Sequence, residues 1–114
     1  MYISHFTVPT APRNFIVFSF DSTSATFKWT PPAIKKNSIS NYVLSITSNS
    51  SIAINYPEIL VDPSLETYHA TMLTPNTNYS CKIAARAKVN AVFGSGGQSP
   101  WSHEVSVTLL PGGK

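Results

Sequence analysis

Between Leu73 and Val89 the chain turns a corner and then alternates strictly. The run Leu73-Thr74-Pro75-Asn76-Thr77-Asn78 holds a proline and two asparagines. Proline fixes φ and removes a ladder donor, so this run reads as a corner between strands. Directly after it, Tyr79, Cys81, Ile83, Ala85, Ala87 and Val89 alternate with Ser80, Lys82, Ala84, Arg86 and Lys88. A period of two held from residue 79 to residue 89 is a β-strand with one face in the core and the other in water. A tyrosine placed where the corner becomes a strand is a device of two-sheet sandwiches, its hydroxyl bonding back to nearby backbone.

The rest of the chain repeats the pattern in shorter pieces. Phe15–Phe18 reads as a first strand and Asp21–Ser24 as the turn after it. Ala25, Phe27 and Trp29 alternate with Thr26 and Lys28, a second strand ended by Pro31-Pro32, which cannot continue a central ladder. Ile34–Ser38 reads as a polar loop, and Tyr42, Leu44 and Ile46 mark a third strand. The sequence predicts a short fourth strand at Ile52–Tyr56, then an edge or loop from Pro57 to Glu66. A fifth strand is expected at Tyr68–Met72, the sixth at Tyr79–Val89, a mobile loop tip at Gly94–Gly97, and a seventh strand at His103–Leu109. No segment keeps apolar residues at helical spacing for ten residues. The expectation is an all-β, seven-stranded antiparallel two-sheet sandwich.

A chain of 114 residues makes one domain. The stiff run Val8-Pro9-Thr10-Ala11-Pro12 leads into it, so residues 1–8 read as a tail or linker, 9–109 as the domain and 110–114 as a second tail. Charged residues make up only 11% of the chain, less than half the usual share, so the wet strand faces must be built mainly of hydroxyls and amides. A net charge of +3 attracts anions mildly and does not indicate nucleic acid. No apolar run approaches the roughly eighteen residues of a membrane helix. Tyr2, His5 and Pro9 interrupt any signal-peptide core. The lone Cys81 has no partner for an internal disulfide and reads as a small buried hydrophobe.

With the strands placed, the chain resembles a fibronectin type III domain over roughly residues 8 to 109. The run from Pro12 to Trp29 is similar to the family's opening, with Phe15, Val17, Phe20, Ala25 and Phe27 at its core positions. Trp29-Thr30-Pro31-Pro32 resembles its second-strand tryptophan and the prolines after it. Ile39-x-x-Tyr42-x-Leu44-x-Ile46 resembles its third strand, and Leu73-x-Pro75-x-Thr77-x-Tyr79 its corner. An antibody-type domain would carry its tryptophan on the third strand beside a disulfide, and neither feature is present. Trp29 and Tyr79 are expected to be structural anchors.

Chemistry has few footholds. The titratable candidates are His5, His69 and His103 with Asp21, Asp62, Glu58, Glu66 and Glu104. His69 is expected to face solvent. His103 and Glu104, as neighbours on one strand, would face opposite sides. No nucleophile elbow, phosphate loop, zinc spacing or calcium loop is present in the sequence. The chain is therefore expected to be neither an enzyme nor the holder of a cofactor or metal.

Binding has more. Lys82, Arg86 and Lys88 share the outward face of one strand, a stripe suited to sulfated glycan or simply a solvated face that discourages edge pairing. Gln98-Ser99-Pro100-Trp101-Ser102 is similar to the WSxWS box of haematopoietic cytokine receptors, with Gln98 in place of the first tryptophan. That resemblance implies a structural Trp101 stacked over Arg86 or Lys82. Val92 and Phe93, with the loop residues Ile34, Lys35 and Lys36, are expected to form one tip of the sandwich. That tip combines an apolar anchor with charge and is the candidate site for a protein ligand. Asn49-Ser50-Ser51 and Asn78-Tyr79-Ser80 are glycosylation sequons. Asn49 reads as the better acceptor, because Asn78 abuts the corner; chance supplies such triplets in a chain this rich in Asn, Ser and Thr, so they do not indicate export.

The resemblance implies a non-catalytic, monomeric interaction and spacer module of a cell-surface receptor or adhesion protein, meeting protein ligands or neighbouring domains in tandem. Two other homes fit the residues: an intracellular scaffold of the muscle type, and an accessory domain of a secreted glycan-degrading enzyme.

Overall fold

The computed structural model describes residues 9–33, 39–49, 58–90 and 95–112. They form eight strands: β1 (Arg13–Phe20), β2 (Ala25–Thr30), β3 (Ile39–Ser48), β4 (Ile59–Val61), β5 (Thr67–Ala70), β6 (Asn78–Asn90), β7 (Ser95–Gln98) and β8 (Val105–Thr108). One antiparallel sheet runs β1-β2-β5; the other runs β4-β3-β6-β7, with β8 also paired to β6. The described residues thus build an all-β sandwich with no helix.

Alternation decides which residues enter the space between the sheets. Phe15, Ala25, Phe27, Trp29 and Ala70 come from the first sheet; Tyr42, Leu44, Ile46, Tyr79, Cys81, Ile83, Ala85 and Val107 come from the second. Aromatic rings connect the two layers. Phe15 stacks on Phe27 at 5.5 Å between centroids, Trp29 lies 6.5 Å from Phe15, and Trp29 meets Tyr42 of the other sheet edge-on at 5.3 Å. Edge-on contact places the positive rim of one ring on the negative face of the next. The Trp29 indole N–H is buried without an acceptor in hydrogen-bonding geometry. Burial raises the pKa of the Tyr42 hydroxyl, the nearby Trp29 indole opposes that rise in part, and the charge of Glu66 adds to it.

The corner does what its residues predict. The Tyr79 hydroxyl accepts a hydrogen bond from the Thr74 N–H at 2.8 Å, so a fully buried ring spends its polar end on the backbone of the turn. Asn76 takes the positive φ of 56° that asparagine tolerates. Its N–H bonds to the Leu110 carbonyl, which ties the chain after β8 to the corner.

Three expectations need correction. Ser95–Gln98, expected as part of a loop tip and its sequel, is a strand: Gln98, Gly97 and Ser95 pair with Arg86, Ala87 and Asn90. A φ of 124° at Gly97, open to glycine alone, lets the chain hold that irregular ladder. Among the described residues this makes eight strands, the two-sheet antiparallel sandwich being the one expected. Phe20, expected in the core, is 45% exposed. The register of β1 shifts between Val17 and Ser19, leaving Phe18 as the extra residue of a bulge, and Phe20 lands at the open end of the sheet opposite Ala25. His103 and Glu104 precede β8 and belong to no strand. The edge strand β4 lies within the segment expected to be edge or loop, whereas the strand expected at Ile52–Tyr56 falls outside the described residues.

Candidate functional site

The outward face of β6 carries the most organised surface chemistry among the described residues. Register places Lys82 beside Ser45, Ala84 beside Val43, and Arg86 beside Asn41, all on the face turned from the core. Next to this face β7 ends and β8 has not begun, so residues 99–104 run alongside without a regular ladder. Two serines replace it. Ser99 N–H donates to the Ala85 carbonyl and Ser102 N–H to the Ile83 carbonyl, both at 2.7 Å. In return the Ser99 hydroxyl accepts from the Ala85 N–H at 2.9 Å and the Ser102 hydroxyl from the Ile83 N–H at 3.1 Å. The hydroxyls then donate to the carbonyls of Pro100 and His103. Both serines are buried, and their N–H groups and hydroxyls, with the Ala85 and Ile83 backbone groups they meet, are all hydrogen-bonded.

This fastening delivers Trp101 to the face. The Lys82 ammonium lies 4.8 Å from the Trp101 ring centre, the cation–π arrangement that the Trp101 segment implies, with Lys82 rather than Arg86 as the cation. Arg86 is occupied differently: its Nη2 donates to Gln98 Oε1 at 3.2 Å and stands 4.0 Å from Glu58 Oε1. Between the Lys82 and Arg86 rows, Val43 and Ala84 are completely buried although they point away from the core. The wet face expected of this strand is therefore largely roofed. Each described cation of the basic stripe already has a partner, and the side chain of Lys88 lies outside the described residues.

The other candidate positions distribute as follows. Trp29 and Tyr79 are core residues, 3% and 0% exposed. Asn49 is exposed just after β3, and Asn78 is half-buried at the start of β6. Ile34, Lys35, Lys36, Val92 and Phe93 lie outside the described residues. His69 is exposed on β5, its Nδ1 2.7 Å from Thr26 Oγ1. Burial pushes the Cys81 thiol up to about 12, with a smaller contribution from the charge of Glu104. The thiolate, the reactive form, is thus scarce near neutral pH. Asp21 is held below the usual carboxylate range first by the Thr23 N–H, then by the Ser24 hydroxyl and N–H, which makes it a turn-former. Among the described residues no group of His, Cys, Asp and Glu could hold a metal ion.

Sequence reasoning missed one surface. Ile16 and Phe18 stand on the outward side of β1, 48% and 61% exposed, with the Lys28 ammonium 4.2 Å from the Phe18 ring centre. The signal was present in the unbroken apolar run of β1, which has too many large residues for one face.

Comparison with known proteins agrees with this architecture. The family model described as Fibronectin type III domain matches residues 10–108. A curated relative, Fibronectin type III domain-containing protein 1 of Margaritifera margaritifera, is 34% identical over 89 residues; the match covers 77% of this chain and 11% of the relative's length. The chain thus spans about a ninth of that relative. Among solved structures, the FN5 domain of Drosophila Lar is similar with a TM-score of 0.67 and 26% identity over 93% of this chain and 100% of its own. The third fibronectin III domain of human KIAA0343 protein reaches a TM-score of 0.74 at 20% identity, covering 100% of this chain and 93% of its own. The twitchin kinase region of C. elegans matches with a TM-score of 0.68 at 20% identity, over 92% of this chain and 17% of that one. The chain belongs to the fibronectin type III family.

Proposed function

We propose that this chain is a non-catalytic protein-interaction and spacer module of a cell-surface receptor or adhesion protein, working in tandem with neighbouring domains. The observation that carries the reading is its fit to a family model over residues 10–108 while spanning only 11% of a curated relative. Such a module contributes shape and a contact surface to a longer chain. The anchor proposed for a protein ligand is the pair of sequence segments holding Ile34, Lys35 and Lys36 and Val92 and Phe93, which supply apolar residues together with two lysines. Sulfated glycan on Lys82, Arg86 and Lys88 is the lesser proposal, because Lys82 and Arg86 already spend their charge on Trp101, Gln98 and Glu58.

Antibody staining of the native protein on intact and on permeabilised cells tests the reading. Staining of intact cells is the expected result; staining only after permeabilisation overturns it in favour of the intracellular scaffold. The absence of any disulfide partner for Cys81 within this chain is what keeps that second reading alive.

A further inference from the structure

Six residues on the outward face at the ends of β3, β6 and β8 form a neutral polar patch. Register aligns Thr47 with Ser80 and Ser80 with Ser106; the neighbouring row holds Asn49, Asn78 and Thr108. The intervening row, Ser48, Tyr79 and Val107, faces the core, so these six face out. All six are neutral and polar, and a large apolar side chain or a charge is missing from both rows. Their side chains bond to one another. Asn49 Nδ2 donates to Asn78 Oδ1 at 2.6 Å and to Ser80 Oγ at 2.7 Å, and Asn78 Nδ2 donates to Thr108 Oγ1 at 2.8 Å.

The asparagines of both sequons lie in this patch, and they are not equivalent. Asn78 is half-buried at the start of β6, flanked by Asn49 on one side and by Thr108 of β8 on the other. Its Nδ2 has a second contact, with the Val107 carbonyl at 3.5 Å, and its Oδ1 is taken by Asn49. A sugar on that nitrogen would have to stand between Asn49 on one side and Thr108 of β8 on the other, and displace the bond to Thr108. Asn49 lies past the end of β3 and is exposed, its main chain anchored by the bond from its N–H to the Asn78 carbonyl at 2.9 Å.

We propose that Asn49 is the acceptor of an N-linked glycan whose first sugars rest on this neutral polar patch. The proposal builds on the cell-surface reading above. In the transfer, Asn49 Nδ2 bonds to the anomeric carbon of an oligosaccharide carried on a polyprenyl pyrophosphate. The bond from that carbon to the pyrophosphate oxygen breaks, the lipid pyrophosphate leaves, and Nδ2 loses one proton. One N–H remains on Asn49, enough to keep one of its two present hydrogen bonds. Hydroxyls and amides that donate and accept in all directions suit sugar hydroxyls, whereas charges or bare apolar groups would not.

The test fuses an export leader to the chain, expresses it in a eukaryotic host, and maps glycosylated asparagine as aspartate after enzymatic release. Peptides are mapped on both the secreted and the retained pools, so poor secretion leaves the site readable. One glycan, at Asn49, is expected in the secreted protein. Ser51→Ala, which destroys the sequon and keeps Asn49 itself, abolishes it; Ser80→Ala, which destroys the other sequon, leaves it in place. An unmodified Asn49 in both pools, or a glycan on Asn78 of the secreted protein, overturns the proposal. The leader separates this outcome from the cell-surface reading: native protein found only inside cells overturns that reading, while a bare Asn49 in the exported chain overturns the site.

Discussion

On the outer face of the five-stranded sheet the Lys82 ammonium lies 4.8 Å from the Trp101 ring centre; on the outer face of the three-stranded sheet Lys28 lies 4.2 Å from Phe18. The two pairs use the same attraction, yet their surroundings differ. Beneath the first, Val43 and Ala84 have no exposure at all; at the second, Phe18 is 61% and Ile16 48% exposed. A cation–π contact contributes only about 0.5–2 kcal/mol, too little to fold a segment over a sheet. What brings Trp101 down is the exchange of four hydrogen bonds between β6 and Ser99 and Ser102. Phe18 instead stands on the bulge of a strand at the edge of its sheet, where no other described segment crosses it. Backbone fastening, and not the ring contact, decides which face is roofed.

Emptying the core beneath both faces gives the largest effect and sets the scale for the rest. Trp29→Ala removes the ring that links Phe15 to Tyr42 across the sheets, and should cost about 3–5 kcal/mol. Against a total stability of about 5–15 kcal/mol, denaturant titration should find a marginal or unfolded protein. A loss under about 1 kcal/mol would mean that the two sheets do not share this anchor.

Ser102→Ala comes next and separates the faces. It leaves the Ile83 N–H buried without its acceptor, which costs about 1–3 kcal/mol. Thr26→Ala on the opposite face removes a hydroxyl whose partner, His69, is exposed, and should shift stability by no more than about 0.5 kcal/mol. Equal losses in the two variants would erase the distinction drawn between fastened and open faces.

The same contrast explains what could be read from the chain beforehand. Strand periodicity and the corner were legible because alternation and proline act locally: Tyr79 and Thr74 are five residues apart, and their bond follows from the corner itself. The exposure of Phe20 was not legible, since it follows from a register shift against β2 that no periodicity within β1 records. Ser99 and Ser102 looked like part of a short motif around Trp101. That their hydroxyls stand in for ladder carbonyls depends on β8 beginning only at Val105, a property of pairing with β6. The polar patch around Asn49 was hidden for a similar reason. Its residues come from three strands, and only the register between them puts Thr47, Ser80 and Ser106 in one row.

Trp101→Ala should cost about 1 kcal/mol beyond the loss of its buried area, the share of a partly exposed cation–π pair. Lys82→Met keeps the stem over the ring and removes the charge, so thermal melting of the two variants divides packing from electrostatics. If Lys82→Met matches wild type while Trp101→Ala is destabilised, the ring acts as a roof and the ammonium is incidental.

Phe18→Ala should have the smallest effect, within about 0.5 kcal/mol of wild type, because a ring exposed this far gains little from burial and its lysine returns to water. The single, double and wild-type proteins of a Phe18→Ala and Lys28→Met cycle give the coupling directly; a value near zero is expected, smaller than that of the matching Trp101 and Lys82 cycle. The comparison fails if the Phe18 cycle gives the larger coupling. In that case the ring contact itself holds β1 in its bulged register, and an open face would be stabilised by the same attraction that the fastened face needs only as a supplement.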